Sequence, residues 1–436
     1  MGKAPDHLTG RQFQEAEGTE DWRVVAGGAV AWFPVPSHSV AARLVRAVTG
    51  LPQLPDGALP DTDLRAGGIR VRLSRTGEGR FGRATVDLAR AISAAARDLG
   101  LSARPDVVQT LQLAFDALDH RAVMPFWQTV LGYERLGDEV LADPTRRHPP
   151  IWFQQQAEPR PLRNRLHLDV VTSQPVATAT LDAVRRTARS VAEHGYYATV
   201  ADAEGNEVDV LPLPEGADSW GDPATEDWRL VFAAVAVYPV NGTAQAVDLA
   251  ERVAELADAA GLPLGVDLRP GLVTVDTGKD RWEMADGYRP LAARVQAAAR
   301  ELGLHADTTR PRFVQVGIDA VDIPAVRGFW RAVLGYEEDP RDGVTDIVDP
   351  LGIGMPLFLQ NLDADDTARR AQRNRIHVDL FVPADQAEAR VAAALAAGGR
   401  ITYDAEAPYW VTVADPEGNE VDIAVAVGRE EHWAEE

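Results

Sequence analysis

The sequence predicts an α+β fold built twice within one chain, and three observations carry that prediction. Matching segments recur at nearly constant spacing. Asp21-Trp22-Arg23-Val24-Val25 and Asp227-Trp228-Arg229-Leu230-Val231 lie 206 residues apart, Leu131-Gly132-Tyr133 and Leu334-Gly335-Tyr336 lie 203 apart, and Gly205-Asn206-Glu207-Val208-Asp209 and Gly418-Asn419-Glu420-Val421-Asp422 lie 213 apart. Each copy mixes short runs of alternating apolar residues with Ala-rich stretches of helical period. Both copies also contain Arg-Asn-Arg-(Leu/Ile)-His, at Arg163 to His167 and at Arg373 to His377. The spacing drifts by a few residues, as small insertions in loops produce, and the period is too long for a solenoid. The chain reads as a tandem duplication of a two-domain unit.

Composition narrows the function classes. With 436 residues, 45% of them hydrophobic, the chain can bury several cores. Its 66 acidic residues outnumber 44 basic ones and give a net charge of −22. Such a surface repels phosphate backbones and anionic lipid, which excludes nucleic acid and membranes as partners. Cysteine is absent, so disulfides and thiolate chemistry are excluded, in keeping with a cytoplasmic setting. Residues 1–13 show neither the apolar core nor the cleavage pattern of a signal peptide. Gly2 is not read as a myristoylation site, because Asp6 stands where Ser or Thr is required. The most apolar run, Leu230 to Val240, is too short to span a bilayer.

In chain order, the first part of unit one opens with a strand from Trp22 to Phe33, ended by Pro34 and Pro36. A helix follows from Ser39, as N-cap, to Thr49. A loop is expected over Gly50 to Gly68, a strand over Ile69 to Leu73, and a long helix over Val86 to Leu99 closed by Gly100. Unit two repeats this with a strand at Trp228 to Tyr238, a helix at Ala244 to Ala260, a strand at Leu272 to Val275 and a helix at Leu291 to Leu302. The second part of each unit opens with a strand, Val107 to Ala117 or Arg312 to Ala320. A short helix follows, whose Phe126-Trp127 or Phe329-Trp330 pair is read as core, and Gly132 or Gly335 ends it. A strand at Ile151 to Gln156 or Pro356 to Gln360, the Arg-Asn-Arg-His strand, a second helix and a hairpin turning at Gly205-Asn206 or Gly418-Asn419 complete it.

Strand alternation picks out the candidate site. Read as a strand, Arg163, Arg165, His167 and Asp169 share one face, opposite Asn164, Leu166, Leu168 and Val170, and Arg373, Arg375, His377 and Asp379 repeat the pattern. Gln112 and Asp116 share a face of the opening strand, as do Gln315 and Asp319. Glu207 and Asp209, and in the copy Glu420 and Asp422, share a face of the last one. Each unit thus offers an amide, an imidazole and carboxylates, a set suited to zinc, iron, nickel or manganese. The competing structural reading is a hydrogen-bonded core histidine, but four polar groups on one face are hard to satisfy in a dry core. Arg163 and Arg165, with Arg373 and Arg375, are candidates for clamping an anionic ligand through bidentate bonds, or equally for salt bridges to neighbouring carboxylates. No Gly-x-Ser-x-Gly, phosphate-binding loop or His-Glu-x-x-His is present.

Phe-Trp followed by Leu-Gly-Tyr, then Arg-Asn-Arg-Leu/Ile-His, then Asp415-Pro416-Glu417-Gly418-Asn419-Glu420 resemble a glyoxalase-like domain of the vicinal oxygen chelate superfamily, over 106–214 and 311–428. In unit one Ala203 replaces that proline. The resemblance implies a cupped sheet of paired βαβββ modules, a divalent metal ion in the cup, and a lyase, isomerase or oxygenase acting on adjacent oxygens of a small molecule. Carried over position by position, the ligands would be Gln112, His167 and Asp209 in unit one, and Gln315, His377 and Asp422 in unit two. Gln154 and Gln360 would line the substrate site with the arginines, and Asp169 or Glu207, Asp379 or Glu420 would move a proton. The set departs from the family in having glutamine where histidine is common and aspartate where glutamate is usual. The rival expectation is a non-catalytic protein of the same fold that sequesters a small molecule. The units have also diverged, since His148 and His194 have no histidine counterpart in unit two.

The first parts, 8–104 and 220–308, are similar to pterin-4a-carbinolamine dehydratase in their Trp-led strand, following helix and strand-to-Ala-rich-helix ending. Dehydratase activity is not expected, because no histidine lies between His38 and His120 or between Trp228 and His305, and Gly57-Ala58-Leu59-Pro60-Asp61 stands where the family carries His-His-Pro. Two such domains in one chain imply paired sheets acting as a scaffold, within an intramolecular pseudo-dimer or a homodimer.

Overall fold

The computed structural model describes residues 7–54, 59–75 and 79–434; Gly2, Gly57 and Ala58 lie outside them. Three eight-stranded sheets dominate, and each of them draws strands from both units.

The first sheet is wholly antiparallel and runs, edge to edge, Arg229–Leu230, Ala234–Pro239, Leu272–Asp276, Gly265–Arg269, Asp61–Arg65, Gly68–Ser74, Gly28–Pro34 and Arg23–Val25. Helices His38–Thr49, Arg83–Asp98, Thr243–Ala260 and Tyr288–Glu301 place their apolar stripes in a common core with it. Its centre was not expected. Asp61–Arg65 lies in the stretch read as loop, and Gly265–Arg269 was not read as a strand. These two pair antiparallel, with Asp63 opposite Asp267, and so join the halves. Two carboxylates face to face repel. Arginines compensate them: Arg269 and Arg70 reach Asp63 at 2.5 and 2.6 Å, and Arg65 and Arg147 reach Asp267 at 2.6 and 2.5 Å. Arg147 comes from the second part of unit one and also holds Asp276 at 2.7 Å, while Arg146 holds Asp61 at 2.6 Å. An ionic layer thus couples the first sheet to the rest.

Other boundaries move slightly. Trp22 to Phe33 is a hairpin, Arg23–Val25 and Gly28–Pro34, turning at Gly27 with φ 83°. The first long helix is capped by Ser37 rather than Ser39, whose hydroxyl instead donates to Asp258 on the neighbouring helix at 2.5 Å.

The other two sheets are each made of two β-α-β-β-β modules, and the modules are exchanged between units. Thr110–Ala117, Ile151–Gln155, Val140–Ala142 and Glu134–Leu136, from unit one, continue through Ile376–Phe381, Glu420–Ala424, Trp410–Ala414 and Arg400–Tyr403 of unit two. The reciprocal sheet joins Leu166–Thr172, Glu207–Leu211, Ala198–Ala201 and Ser190–Glu193 of unit one to Arg312–Ala320, Leu357–Asn361, Ile347–Val348 and Glu337–Glu338 of unit two. The antiparallel seams set Asp379 against Gln112 and Asp169 against Gln315. One core fills the space between these sheets. Trp127 and Trp330 are fully buried in it, as expected, and donate to Asp202 at 2.8 Å and Asp415 at 3.0 Å.

The Arg-Asn-Arg segments clasp the exchange. The strands begin only at Leu166 and Ile376, so the alternation read from the sequence does not extend back to Arg163 or Arg373. Asn164 accepts from the Arg375 backbone N–H and Asn374 from that of Arg165, both at 2.9 Å, while their amides donate to Asn206 at 2.7 Å and Asn419 at 2.8 Å. Arg165 is buried, donating to Asn419, Gly418 and three carbonyls at 369, 370 and 372. Arg375 mirrors it on Asn206, Gly205, Arg160 and Leu162. Buried guanidinium groups are stable only when so satisfied. No described helix is long and apolar enough to cross a membrane.

Candidate metal centres in two composite cups

Each exchanged sheet presents one polar face, here called cup I (the sheet carrying His377) and cup II (the sheet carrying His167). In cup II, Leu166, Leu168 and Val170 turn into the core, which leaves His167 and Asp169 on the cup side. The neighbouring strand brings Asp209 beside Asp169 in parallel register, and the seam brings Gln315. His167, Asp169 and Asp209 offer ligand atoms that all lie within 4.8 Å of one another, as do His377, Asp379 and Asp422 in cup I. The histidine Nε2 stands 3.7 Å from Asp169 Oδ1 in cup II, and 3.6 and 3.8 Å from Asp379 Oδ1 and Asp422 Oδ2 in cup I.

The structure groups the expected residues across the units. Gln112 joins His377 and Asp422, and Gln315 joins His167 and Asp209, because the opening strand of each unit pairs with the middle strand of the other. Gln315 Nε2 donates to Asp169 Oδ2 at 2.9 Å, and Gln112 Nε2 to Asp379 Oδ2 at 3.0 Å. Thr199 donates to Asp209 Oδ1 at 2.6 Å.

The residues fit a divalent cation. Asp169 Oδ1 and Gln315 Oε1 in cup II, and Asp379 Oδ1 and Asp422 Oδ1 in cup I, are buried acceptors without a hydrogen-bond partner among the described residues. Orphaned acceptors of this kind carry a full desolvation penalty, and here they converge beside an imidazole on oxygens suited to a hard or borderline ion. Burial pushes the Asp169 carboxyl up to about 6, against the opposing pull of His167 and the Gln315 hydrogen bond, and pushes Asp379 up to about 7, with Asp422 adding repulsion.

The other predicted residues line the far end of each cup or leave it. Gln154 donates to Asp116 Oδ1, and Gln360 to Asp319 Oδ1 at 2.6 Å. Asp116 is also held by Arg160 and lies 3.5 Å from Arg373; Asp319 is held by Arg369 and lies 3.3 Å from Arg163. Arg163 pairs with Glu207, and Arg373 with Glu420 at 2.6 Å, so these four form salt bridges at the cup rims. Arg165 and Arg375, expected on the ligand face, point instead into the clasp. Sequence reasoning missed Arg160, which sits in a loop, and Arg369, which sits in the five-residue helix Thr367–Ala371, too short to show a periodic pattern. It also missed the cation near each centre, Lys279 at Asp169 and Arg429 at Asp379.

Comparison with known proteins finds similarity over these regions. The family model described as a glyoxalase-like domain matches residues 112–211 and 315–424. No curated protein matches. Among solved structures, glyoxalase I from Zea mays is similar at 10% identity, over 74% of this chain and 95% of that one, with a TM-score of 0.39. The cppA protein from Streptococcus pneumoniae is similar at 9% identity over 72% and 97%, with 0.32, and a hypothetical protein from S. aureus at 14% over 25% and 89%, with 0.21. The two regions that match the glyoxalase-like domain model are those whose modules build both cups.

Proposed function

We propose that each cup holds a divalent cation and works on a small molecule bearing adjacent oxygens, as a lyase, isomerase or oxygenase. The observation that carries this reading is the convergence, in both cups, of an imidazole with buried carboxylate oxygens, joined in cup II by the Gln315 amide oxygen, that find no hydrogen-bond partner among the described residues. His167, Asp209 and Gln315 would hold the ion in cup II, and His377, Asp422 and Gln112 in cup I. The ion supplies Lewis acidity toward the substrate oxygens. Gln315 would fix Asp169 through Oδ2 and keep Oδ1 turned to the ion site, where it could accept a proton from bound substrate, and Gln112 would do the same for Asp379. Glu207 and Glu420, paired with Arg163 and Arg373, are poorly placed for that role. The Arg163–Glu207 and Arg373–Glu420 pairs, with Gln154 and Gln360, would shape the substrate end of each cup.

Residues 8–104 and 220–308 are read as a degenerate pterin-4a-carbinolamine dehydratase-like pair that serves as scaffold, in a cytoplasmic protein. The shared eight-stranded sheet supports this, as does His38, which is buried and occupied by Asp258 at 3.1 Å and the Leu264 carbonyl at 3.0 Å.

Elemental analysis of untagged protein tests the reading. Wild type is expected to carry up to two first-row divalent ions, with one lost in His167→Ala and one in His377→Ala. Absence of metal from all three, even after reconstitution, would overturn the metalloenzyme and leave the sequestering protein as the surviving reading.

A further inference from the structure

The two cups share a donor set but not a cation. In cup I the neighbouring charge is Arg429, the first residue of the helix Arg429–Ala434. Its guanidinium carbon lies 4.7 Å from the Trp433 ring centre, 5.2 Å from Trp410 and 5.4 Å from Phe381. Its helix is tied down by Arg75–Glu430 at 2.6 Å, Thr9–Glu431 at 2.7 Å and His432–Glu406 at 3.0 Å. Arg429 lies within electrostatic reach of Asp379 and Asp422, yet it forms no ion pair with a described residue, and its buried Nε finds no acceptor among them. Cup I therefore holds an unmatched buried donor close to the unmatched acceptors Asp379 Oδ1 and Asp422 Oδ1. A cation alone would answer the acceptors and leave the guanidinium unanswered. A cation together with an anionic oxygen ligand would answer both.

Cup II is built differently. The position 213 residues before Arg429 is Gly216. The cation near Asp169 is Lys279, and its ammonium is already bound by Asp346 and by Asp280 at 3.1 Å. Cup II has no spare donor of this kind among the described residues.

We infer that Arg429 makes cup I selective for small anionic ligands, of the carboxylate class with a second oxygen adjacent, while cup II lacks that selectivity. This rests on the metal-holding reading above and adds the substrate class and the residue that sets it. The test uses the full chain loaded with Zn2+, with pyruvate as probe and isothermal titration calorimetry as readout. The His167→Ala background isolates cup I, and the His377→Ala background isolates cup II. In the first, Arg429→Gln is expected to weaken pyruvate binding by about tenfold or more, the loss of one charged hydrogen bond. Zn2+ stoichiometry should stay unchanged there, and in the second background the substitution should have no effect. Arg429→Met, which keeps the contact with the rings, repeats the measurement should Arg429→Gln disturb the helix. Equal pyruvate affinity with and without Arg429, or an equal loss in both backgrounds, overturns the inference and leaves the metal reading standing. Failure of the His167→Ala protein to take up Zn2+ overturns both, and shows before any pyruvate is added.

Discussion

The Gln112 amide hydrogen-bonds the Asp379 carboxylate at 3.0 Å across 267 residues of chain. That bond crosses from one unit to the other, and it makes a prediction about coupling. Gln112→Ala should impair metal uptake in the cup that contains His377 and spare the one that contains His167. Combined with His377→Ala it should add little, whereas combined with His167→Ala the losses should sum. Metal stoichiometry across the two double mutants decides it, and the opposite pattern would reject the exchange of modules.

The clasp predicts a stability cost. Asn164→Ala leaves the buried Arg375 backbone N–H without its acceptor and removes one of the two donors to the Asn206 side-chain oxygen, which Arg375 Nε still serves. The expected loss is about 2–3 kcal/mol, read as a lower urea midpoint. Arg46→Gln, which removes exposed pairs to Asp248 and Glu251, should cost no more than about 1 kcal/mol.

Gly317 is predicted to be required by cup II alone. A Cβ there would meet His167 Cε1 at 2.3 Å and the Phe358 ring at 2.6 Å. Cup I has Ala114 opposite His377 and Trp152 beside it, so its imidazole is seated differently. Gly317→Ala should displace the His167 ring, cost about 1–3 kcal/mol, and abolish one of two metal equivalents. Ala114→Gly should leave both.

The raised carboxyls give a pH dependence in metal-free protein. Folding lifts Asp379 to about 7 and Asp169 to about 6, above the ordinary aspartate value. Between about pH 4 and 7 the unfolded chain therefore binds fewer protons than the folded one, and stability falls as pH rises through that window. Asp379→Asn should flatten the fall and be more stable than wild type at pH 7.5 by thermal unfolding. A wild-type profile that rose from pH 5 to 7 at this site, relative to the variant, would contradict the burial argument.

The ionic centre of the first sheet should be intolerant of half-removal. Asp63→Ala leaves Arg269 and Arg70 without their shared carboxylate, and buried pairs broken in this way cost about 3–5 kcal/mol. Equilibrium denaturation should show it; a cost under about 1 kcal/mol would mean that water reaches these guanidinium groups.

Much of the site was legible because alternation is local. His167 and Asp169 share the cup face as a two-residue period requires, and the same rule placed Gln112, Gln315, Asp209 and Asp422. Arg165 was misplaced because the rule was carried three residues past the true start of the strand at Leu166. The strands Asp61–Arg65 and Gly265–Arg269 were unreadable for a related reason. Asp-Leu-Arg recurs at 63–65 and 267–269, but the aspartates there are buried, and only arginines that the fold brings in from neighbouring strands and from the 146–147 loop make that burial tolerable. The exchange of modules could not be read at all. A repeat says which segments are alike, not which copy of each segment pairs with which.

Because the exchanged modules belong to one polypeptide, the cups assemble by a first-order process. Modules on separate chains would part on dilution, and their cups would exist only above some protein concentration. Here the connecting chain holds the partner modules at a fixed and high local concentration, so cup integrity is independent of how much protein is present. The same linkage removes any demand that the two cups be identical. A substitution at Gly317 or Arg429 changes one of them and leaves the other as it was, a freedom that a symmetric pair of identical chains does not have.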